Sequence, residues 1–225
     1  MFVFPKYKIN FAKQSTLIMK EIEVYNTLNE IKDLMEKSSK FLSLSGLSAI
    51  LVGIYALIGA GIAYYIIGCQ NASYPLYNNS LGEVGGIVIL ALILLGISLL
   101  TVFAFSWQKA KRNEQKLYFD SISKRLLVNF FIPLLAGGIL CFALIMQHHY
   151  GLTSCIMLIF YGMALINGSK YTYSNTRYLG YAELSLGLID SFTVGYGLLF
   201  WTIGFGLFHI VYGIFFYLKY DCKRQ

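Results

Sequence analysis

The chain has 225 residues, of which 57% are hydrophobic and 13% are charged, and its mean hydropathy is +0.61. A soluble domain carries about 25% charged residues, so the composition predicts an integral membrane protein and excludes an ordinary soluble domain. The net charge of +7 would indicate a nucleic-acid partner in a soluble protein. Here the Lys and Arg residues are confined to four short segments, so no nucleic-acid partner is expected.

The N-terminal residues differ from those that follow. Residues 1–19 show no helical periodicity and no signal-peptide core, which predicts a disordered or non-native extension with translation starting at Met19. Over residues 20–40, apolar side chains recur at helical spacing, which predicts an amphipathic cytoplasmic helix. These side chains are Val24, Leu28, Ile31 and Met35. The helix either lies at the membrane interface or forms a short coiled coil that makes the protein a homo-oligomer.

Residues 41–218 are predicted to form an all-α membrane bundle of six spans. A span needs about 20 apolar residues. Four segments reach that length without a charged residue: 41–67, 85–105, 126–146 and 196–218. Two shorter segments, 149–166 and 178–192, complete the six, although the second contains Glu183 and Asp190. Residues 219–225 then form a cytoplasmic tail.

The distribution of Lys and Arg decides between two topologies. Seven precede the first span, six lie between the second and third, two between the fourth and fifth, and three follow the sixth. Because cationic residues are retained in the cytoplasm, six spans place all of them inside. If residues 149–192 form a re-entrant hairpin instead, four spans remain and Lys170 and Arg177 lie outside. The sequence therefore favours six spans in the lipid bilayer, with both termini in the cytoplasm.

Three predicted spans carry small or polar residues along one face. These residues are Gly46 and Gly53 in the first span, Gly180, Glu183, Gly187 and Asp190 in the fifth, and Gly206, His209 and Gly213 in the sixth. Small residues let membrane helices approach closely, so we expect the three faces to meet. The same faces, together with the amphipathic helix, are the surfaces through which a homo-oligomer is expected to form.

Ionisable residues at membrane depth are functional candidates, because burying them is unfavourable unless they are paired or hydrated. If the fifth and sixth spans form a hairpin, Glu183 lies at the depth of Gly206, within about one turn of His209. Three interpretations remain open. Glu183 forms a structural hydrogen bond with His209 or with Tyr or Ser hydroxyls. Alternatively, Glu183 and His209 form a proton or ion relay, for which Asp190 is a further candidate, or Arg177 forms a salt bridge with Glu183 at the inner surface.

The sequence contains no established catalytic or metal-binding motif. The HExxH, GxSxG, phosphate-loop and CxxC patterns are all missing, which predicts a non-enzymatic protein with no catalytic residue, cofactor or metal site. Of the four cysteines, Cys69, Cys141 and Cys155 fall toward the outer side and Cys222 falls in the cytoplasm. Their spacing predicts no disulfide framework.

The first span and the last hairpin resemble a family of bacterial membrane proteins. The matching residues are Arg177-Tyr-Leu-Gly180, Glu183, Leu186-Gly-Leu-Ile189, Gly195-Tyr-Gly197, Phe200-Trp201, Gly204-Phe-Gly206, His209-Ile, Tyr212-Gly213 and Lys219-Tyr220, together with Ser43-Leu-Ser-Gly-Leu-Ser48. The similarity runs from about Lys20 to the C-terminus, and the family is an uncharacterised one of six-helix inner-membrane proteins without an established activity. The resemblance implies a bacterial inner membrane and a start at Met19. Asp190 departs from the family pattern, which weakens any mechanism that needs two carboxylates in the fifth span.

Two functional hypotheses follow. The first is a non-enzymatic membrane protein with a regulatory or assembly role, acting through helix association; it predicts a dry bundle in which Glu183 is hydrogen-bonded. The alternative is a small transporter or proton-coupled carrier that uses Glu183 and His209; it predicts a path by which water reaches Glu183.

Overall fold

The computed structural model describes residues 25, 27, 45–71, 81–112, 121–193 and 195–222. The chain divides into two units, Met1–Lys40 and Phe41–Gln225. In the first unit, Tyr25 and Thr27 are helical. The predicted extension over residues 1–19 lies outside the described residues, and so does the remainder of the amphipathic helix predicted for residues 20–40.

The described part of the second unit consists of helices and turns, which confirms the predicted all-α class for these residues. Helices α1, α2 and α3 extend over Gly46–Asn71, Leu81–Arg112 and Ser121–Met146. A short 3₁₀ turn at Tyr150–Leu152 leads into α4, which extends over Thr153–Gly168. Helix α5 then extends over Thr176–Asp190.

The last helix, α6, alternates between α and π geometry. It begins as an α-helix at Gly197–Trp201, widens to a π-helix over Thr202–Phe208, returns to α over His209–Phe216 and ends as a π-helix at Tyr217–Asp221. A π-helix has i→i+5 hydrogen bonds, so its side chains do not follow the α-helical spacing used on the sequence. Such segments are frequent at functional sites.

Five of the described helices are long and apolar enough to cross a membrane: Gly46–Ile67, Gly85–Lys109, Ser123–Met146, Tyr150–Gly168 and Gly197–Tyr220. Most of their residues are not buried within the protein, and the most apolar stretch of Gly85–Lys109 buries none. Apolar surface of this extent requires an apolar solvent. The predicted fifth span stands apart, because α5 has 15 residues and a length of about 22 Å, less than the roughly 30 Å of a hydrocarbon core.

Neighbouring helices are antiparallel, because contacts that advance along one helix go back along its neighbour. The contacts are Gly59–Leu94 and Tyr55–Thr101 for α1–α2, Gly53–Ile210 and Gly46–Tyr217 for α1–α6, Gly137–Phe160 and Gly168–Phe130 for α3–α4, Gly187–Ile159 and Gly162–Leu184 for α4–α5, and Glu183–Gly204 and Thr176–Tyr212 for α5–α6. Helix α6 thus lies between α1 on one side and the α4–α5 hairpin on the other.

This arrangement gathers the described cationic residues at one end of the helices. The cationic end, as we term it, contains the starts of α1, α3 and α5, the ends of α2, α4 and α6, and the turn 169–175. All Lys and Arg of the described helices and turns lie there: Lys109, Lys111, Arg112, Lys124, Arg125, Lys170, Arg177 and Lys219. The opposite end contains the turn 147–149, the end of α5 and the start of α6.

Helices α1 and α6 approach each other through glycines. A Cβ atom at Gly46 would lie 2.6 Å from the backbone nitrogen of Tyr217 and 2.7 Å from the carbonyl oxygen of Gly213. At Gly53, a Cβ atom would lie 2.7 Å from the carbonyl oxygen of Gly206. The small faces of these two helices therefore meet, because side chains would hold the backbones apart.

The glycines of α5 lie against α4 instead. A Cβ atom at Gly180 would lie 2.8 Å from the carbonyl oxygen of Gly162, and one at Gly187 would lie 2.9 Å from the backbone nitrogen of Ile159. The expectation that the small faces of α1, α5 and α6 meet one another is therefore wrong for the glycines of α5. The partner of Gly180 is Gly162 in α4, which the sequence patterns did not single out because no small residue lies three or four positions from it.

Candidate functional site

Glu183 is the middle residue of α5 and has no exposed surface. Its carboxyl group lies against Gly204 of α6, where a Cβ atom would collide with Glu183 Oε2 and with the side chain of Leu158. Neither carboxyl oxygen has a hydrogen-bond partner among the described residues. Glycine at position 204 thus makes room for a carboxyl group whose surroundings leave it unsatisfied. Burying a polar group in that way is unfavourable.

His209 of α6 is the ionisable neighbour of Glu183, and 4% of its surface is exposed. Its Nδ1 atom lies 3.4 Å from Glu183 Oε1 and 3.2 Å from the carbonyl oxygen of Gly204. Its Nε2 atom lies 2.7 Å from the hydroxyl oxygen of Tyr161 in α4. Helices α4, α5 and α6 thus each contribute one polar side chain to a cluster of Tyr161, Glu183 and His209, which we term the polar triad.

The neighbours of His209 indicate where its protons lie. Nδ1 faces two oxygen atoms, the Gly204 carbonyl and a Glu183 carboxyl oxygen, so it is the nitrogen that carries hydrogen. In a neutral imidazole, Nε2 then accepts a hydrogen bond from the Tyr161 hydroxyl. If Glu183 is ionised and His209 is protonated, the Nε2–H group donates to the Tyr161 oxygen instead. The triad can therefore hold one transferable proton on either Glu183 or His209.

The bond between Tyr161 and His209 can be tested directly. We expect the Tyr161→Phe variant to change the Nε2 resonance of His209, because it removes a hydrogen bond worth about 1 kcal/mol while keeping the ring. Solid-state NMR with isotope-labelled histidine nitrogens measures this, in a background where His148 and His149 are replaced. Tyr178→Phe is the matched control, since Tyr178 is exposed. An Nε2 resonance that stays the same in both variants contradicts the bond.

Aromatic rings surround the imidazole of His209. The Tyr161 ring stacks on it with ring centres 5.4 Å apart, and the Phe205 ring centre lies 5.0 Å from that of Tyr161 and 6.0 Å from that of His209. Trp201, about one turn earlier in α6, continues the stack at 5.2 Å from Phe205. Apolar rings lower the local dielectric, so the interaction between His209 and Glu183 is stronger here than it would be in water.

The π-helix of α6 accounts for the position of His209. In this geometry residue i+5 lies over residue i, so the imidazole reaches the carbonyl of Gly204, five residues earlier. The sequence expectation placed Glu183 opposite Gly206, on the assumption of α-helical geometry throughout. The structure places it opposite Gly204, because the wider turns change the relation between residue number and depth.

Asp190 lies on the buried face of α5 but does not reach the triad. It ends α5 at the opposite end, about 10 Å along the helix from Glu183. Its Oδ2 atom accepts a 2.6 Å hydrogen bond from the Ser154 hydroxyl, and Oδ1 has no hydrogen-bond partner among the described residues. The two carboxyl groups of α5 therefore have separate surroundings, and the structure does not bring them together.

Arg177 does not pair with Glu183. Its side chain is exposed, and its guanidinium carbon lies 5.3 Å from the ring centre of Tyr178. Six residues along an α-helix place the Arg177 and Glu183 side chains about 120° apart, on different faces. The salt-bridge interpretation therefore does not hold, and His209 is the ionisable side chain within reach of Glu183.

Sequence reasoning missed Tyr161 and Gly204. Tyr161 is one of 18 tyrosines in the chain, and its role becomes visible only when α4 is placed against α6. Gly204 lies two residues before Gly206, outside the α-helical stripe that contains His209. Both positions depend on helix contacts and on π geometry, neither of which a spacing rule on one helix can show.

In the described ranges, no three His, Cys, Asp or Glu side chains come together in a way that could hold a metal ion. Comparison of the chain with models of protein families, with curated proteins and with solved structures finds no match. The function is therefore inferred from the geometry of the polar triad.

Proposed function

We propose that this protein is a small proton-coupled membrane carrier in which Glu183 binds the coupled proton and His209 exchanges it. One observation supports this most strongly: a completely buried carboxyl group, without hydrogen-bond donors in the described residues, lies 3.4 Å from an imidazole nitrogen. A structural carboxyl group is normally satisfied by fixed donors, because leaving it unsatisfied costs about 1–3 kcal/mol or more. An unsatisfied one beside a titratable partner is suited to binding and releasing a proton.

The geometry differs from what either sequence hypothesis expected. The association hypothesis expected Glu183 to be dry and hydrogen-bonded; it is buried, but its oxygens have no hydrogen-bond partner among the described residues. The carrier hypothesis expected a path for water, whereas Glu183 has no exposed surface. A carrier must pass through an occluded state between its open states, and we interpret the described conformation as that state.

Polar residues between the triad and the cationic end indicate the side from which the proton reaches Glu183. Tyr212, one turn beyond His209, is hydrogen-bonded to Thr176 at 2.9 Å. Closer to the cationic end, the Asn175 amide donates to the Tyr220 hydroxyl at 3.1 Å. Toward the opposite end, the groups beside the Glu183–Gly204 contact are the apolar side chains of Leu158 and Leu186, which separate the triad from the Ser154–Asp190 hydrogen bond. This apolar separation favours proton access through the cationic end.

Helix α6 is the element whose movement would open the site. A π-helical turn contains one more residue than an α-helical turn, so conversion between the two rotates the side chains that follow. In α6 the π-helix Thr202–Phe208 directly precedes His209. Conversion of this segment to α geometry would therefore rotate the imidazole away from Glu183, which links proton release to a change in helix position.

We further propose six membrane crossings with both termini in the cytoplasm, in a bacterial inner membrane. Two observations support six crossings: α5 lies beside α4 from the Gly162–Gly180 contact to the Ser154–Asp190 hydrogen bond, and the described cationic residues share one end. A helix of 15 residues can cross the bilayer beside a longer helix if the membrane is locally thinner or if the turns at its ends extend into the membrane. The bacterial assignment rests on the sequence resemblance.

The orientation can be tested by cysteine labelling in a variant that lacks the native cysteines. We expect His149→Cys, in the exposed turn at the opposite end, to react with a membrane-impermeant maleimide in intact cells. We expect Lys170→Cys, exposed at the cationic end, to react only after permeabilisation, because cationic turns remain in the cytoplasm. Labelling of Lys170→Cys from outside would instead support the re-entrant hairpin and four spans.

The proton function is tested by a pH step applied to reconstituted vesicles adsorbed on a solid-supported membrane. Binding of a proton within the protein displaces charge, which this method records without knowledge of the transported substrate. We expect the parent protein to give a displacement current and Glu183→Gln to give none. Arg177→Gln is the matched control and should keep the current, because Arg177 is exposed and lies on another face of α5.

A second candidate function, association with other membrane helices, is favoured by the surface of α2. The most apolar stretch of Gly85–Lys109 buries none of its residues, and a Cβ atom at Gly85, Gly86 or Gly96 would meet no other atom within 4 Å. Helix α2 therefore presents small and apolar residues that a helix of a second copy or of another protein could contact. In this role the protein is a non-enzymatic regulator or assembly factor.

A further inference from the structure

Two buried cysteines, one on α3 and one on α4, lie at the same turn of α4. Cys141 of α3 is 8% exposed and Cys155 of α4 is 3% exposed. The thiol of Cys141 donates to the carbonyl oxygen of Thr153 at 3.6 Å, and the thiol of Cys155 donates to that of Leu152 at 3.0 Å. These carbonyls belong to consecutive residues at the start of α4, so both sulfur atoms converge on the same turn.

The register of the two helices brings the cysteines opposite each other. Helices α3 and α4 are antiparallel, with Gly137 against Phe160. One turn onward from Gly137 is Cys141, and about one turn back from Phe160 is Cys155. The similar depth of the two cysteines is therefore a property of the helix contact.

The position of the pair along the helices determines the chemistry available to it. Cys155 is the third residue of α4, and Cys141 lies in the last two turns of α3, so both are near the end opposite the cationic one. With the cationic end in the cytoplasm, as proposed above, this end faces the outer side of the membrane. Disulfides form and persist in that compartment, whereas cytoplasmic thiols are kept reduced.

We propose that Cys141 and Cys155 form an intramolecular disulfide that joins α3 to α4. The oxidant is the disulfide of a thiol–disulfide oxidase outside the cytoplasm. The thiolate of one cysteine attacks that disulfide and forms a mixed disulfide, and the second thiolate then displaces the oxidase sulfur. The two thiol protons pass by way of water to the two oxidase sulfur atoms, so the oxidase leaves as a dithiol that carries both electrons and both protons. Because both sulfur atoms are buried once the bundle is complete, the exchange takes place while the α3–α4 hairpin is still accessible.

The bond would fix the position of α3. The α3 helix packs chiefly against α4, so a covalent link at the opposite end holds it to the helix that carries Tyr161. The inference rests on the proposed orientation of the protein but not on proton binding by Glu183.

The test counts free thiols in protein whose cysteines are blocked in intact cells, in a background of Cys69→Ala and Cys222→Ala. Only Cys141 and Cys155 remain in this background. We expect the denatured protein to take up no polyethylene-glycol maleimide before reduction and two after reduction, as seen by gel shift. Reduction should also lower the melting temperature by several degrees, because the cross-link restricts the unfolded chain.

Cys141→Ser and Cys155→Ser are the matched controls. Each should take up the same number of maleimides before and after reduction, because its one remaining cysteine has no disulfide partner, and reduction should leave its melting temperature unchanged. If the background protein instead takes up two maleimides before reduction, or none after it, its thiols were free and the disulfide is excluded. Labelling of His149→Cys then shows whether the proposed orientation failed with it or still stands.

Discussion

The Glu183→Gln variant is expected to lose the charge displacement completely and to unfold at the same temperature as the parent protein or higher. Glutamine has nearly the same shape, so it fits the space that Gly204 leaves. It cannot bind a proton in the pH range of the carboxyl group, which removes the current. It also removes an ionisable group with no hydrogen-bond partner in the described residues, so the free energy of unfolding should rise by between zero and about 2 kcal/mol.

The stability measurement separates the two functional hypotheses. If Glu183 and His209 form a structural ion pair, neutralising Glu183 leaves the charge of His209 buried and uncompensated, and the loss of stability is about 3–5 kcal/mol. A destabilised Glu183→Gln variant that keeps its displacement current would therefore support association and would falsify the carrier. Thermal unfolding followed by tryptophan fluorescence is suited to this, because Trp201 belongs to the aromatic stack beside the triad.

Asp190→Asn is the carboxyl control for the same experiment. Asp190 is buried on the same helix and accepts a hydrogen bond from Ser154, but it lies about 10 Å from Glu183. We expect this variant to keep its displacement current, since the group that binds the proton is intact. Loss of the current in Asp190→Asn as well would show that the signal does not report on the polar triad.

The Gly162→Ala variant is expected to lose about 1–3 kcal/mol of stability, as found when a side chain is forced into a packed interface. Its Cβ atom would lie 2.7 Å from the carbonyl oxygen of Gly180 and 2.7 Å from the backbone nitrogen of Leu184. Both obstacles are backbone atoms, so α4 and α5 must move apart and no side-chain rotation relieves the clash. Because Tyr161 precedes Gly162, the displacement current should change together with stability.

Gly138→Ala provides the comparison for Gly162→Ala. A Cβ atom at Gly138 meets no other atom within 4 Å, and alanine favours the helix more than glycine does. Its melting temperature should be equal to that of the parent protein or higher. Equal melting temperatures for Gly162→Ala and Gly138→Ala would contradict the close approach of α4 and α5.

The sequence alone predicts the helical class, the positions of the apolar helices and the segregation of charge. These properties are local: an apolar stretch of about 20 residues is detectable in any window, and each cationic residue is assigned to a turn by its position alone. The bounds of α3, Ser121–Met146, follow the predicted segment 126–146 closely for this reason. Whether α5 crosses the membrane is harder to predict from the sequence. Its 15 residues, which include Glu183 and Asp190, fit either a short membrane span or a buried core helix.

The tertiary structure decided which faces meet, and so what the polar residues contact. Spacing on single helices placed Glu183 near His209, but only the packing of three helices added Tyr161 and placed Arg177 outside the site. The packing also placed Gly180 against Gly162, and it placed the thiol of Cys141 at the turn of α4 that contains Cys155. The physical reason is that helix partners are selected by backbone approach and by the π turns of α6. These depend on two or three helices at once and leave no periodic signal in any one of them.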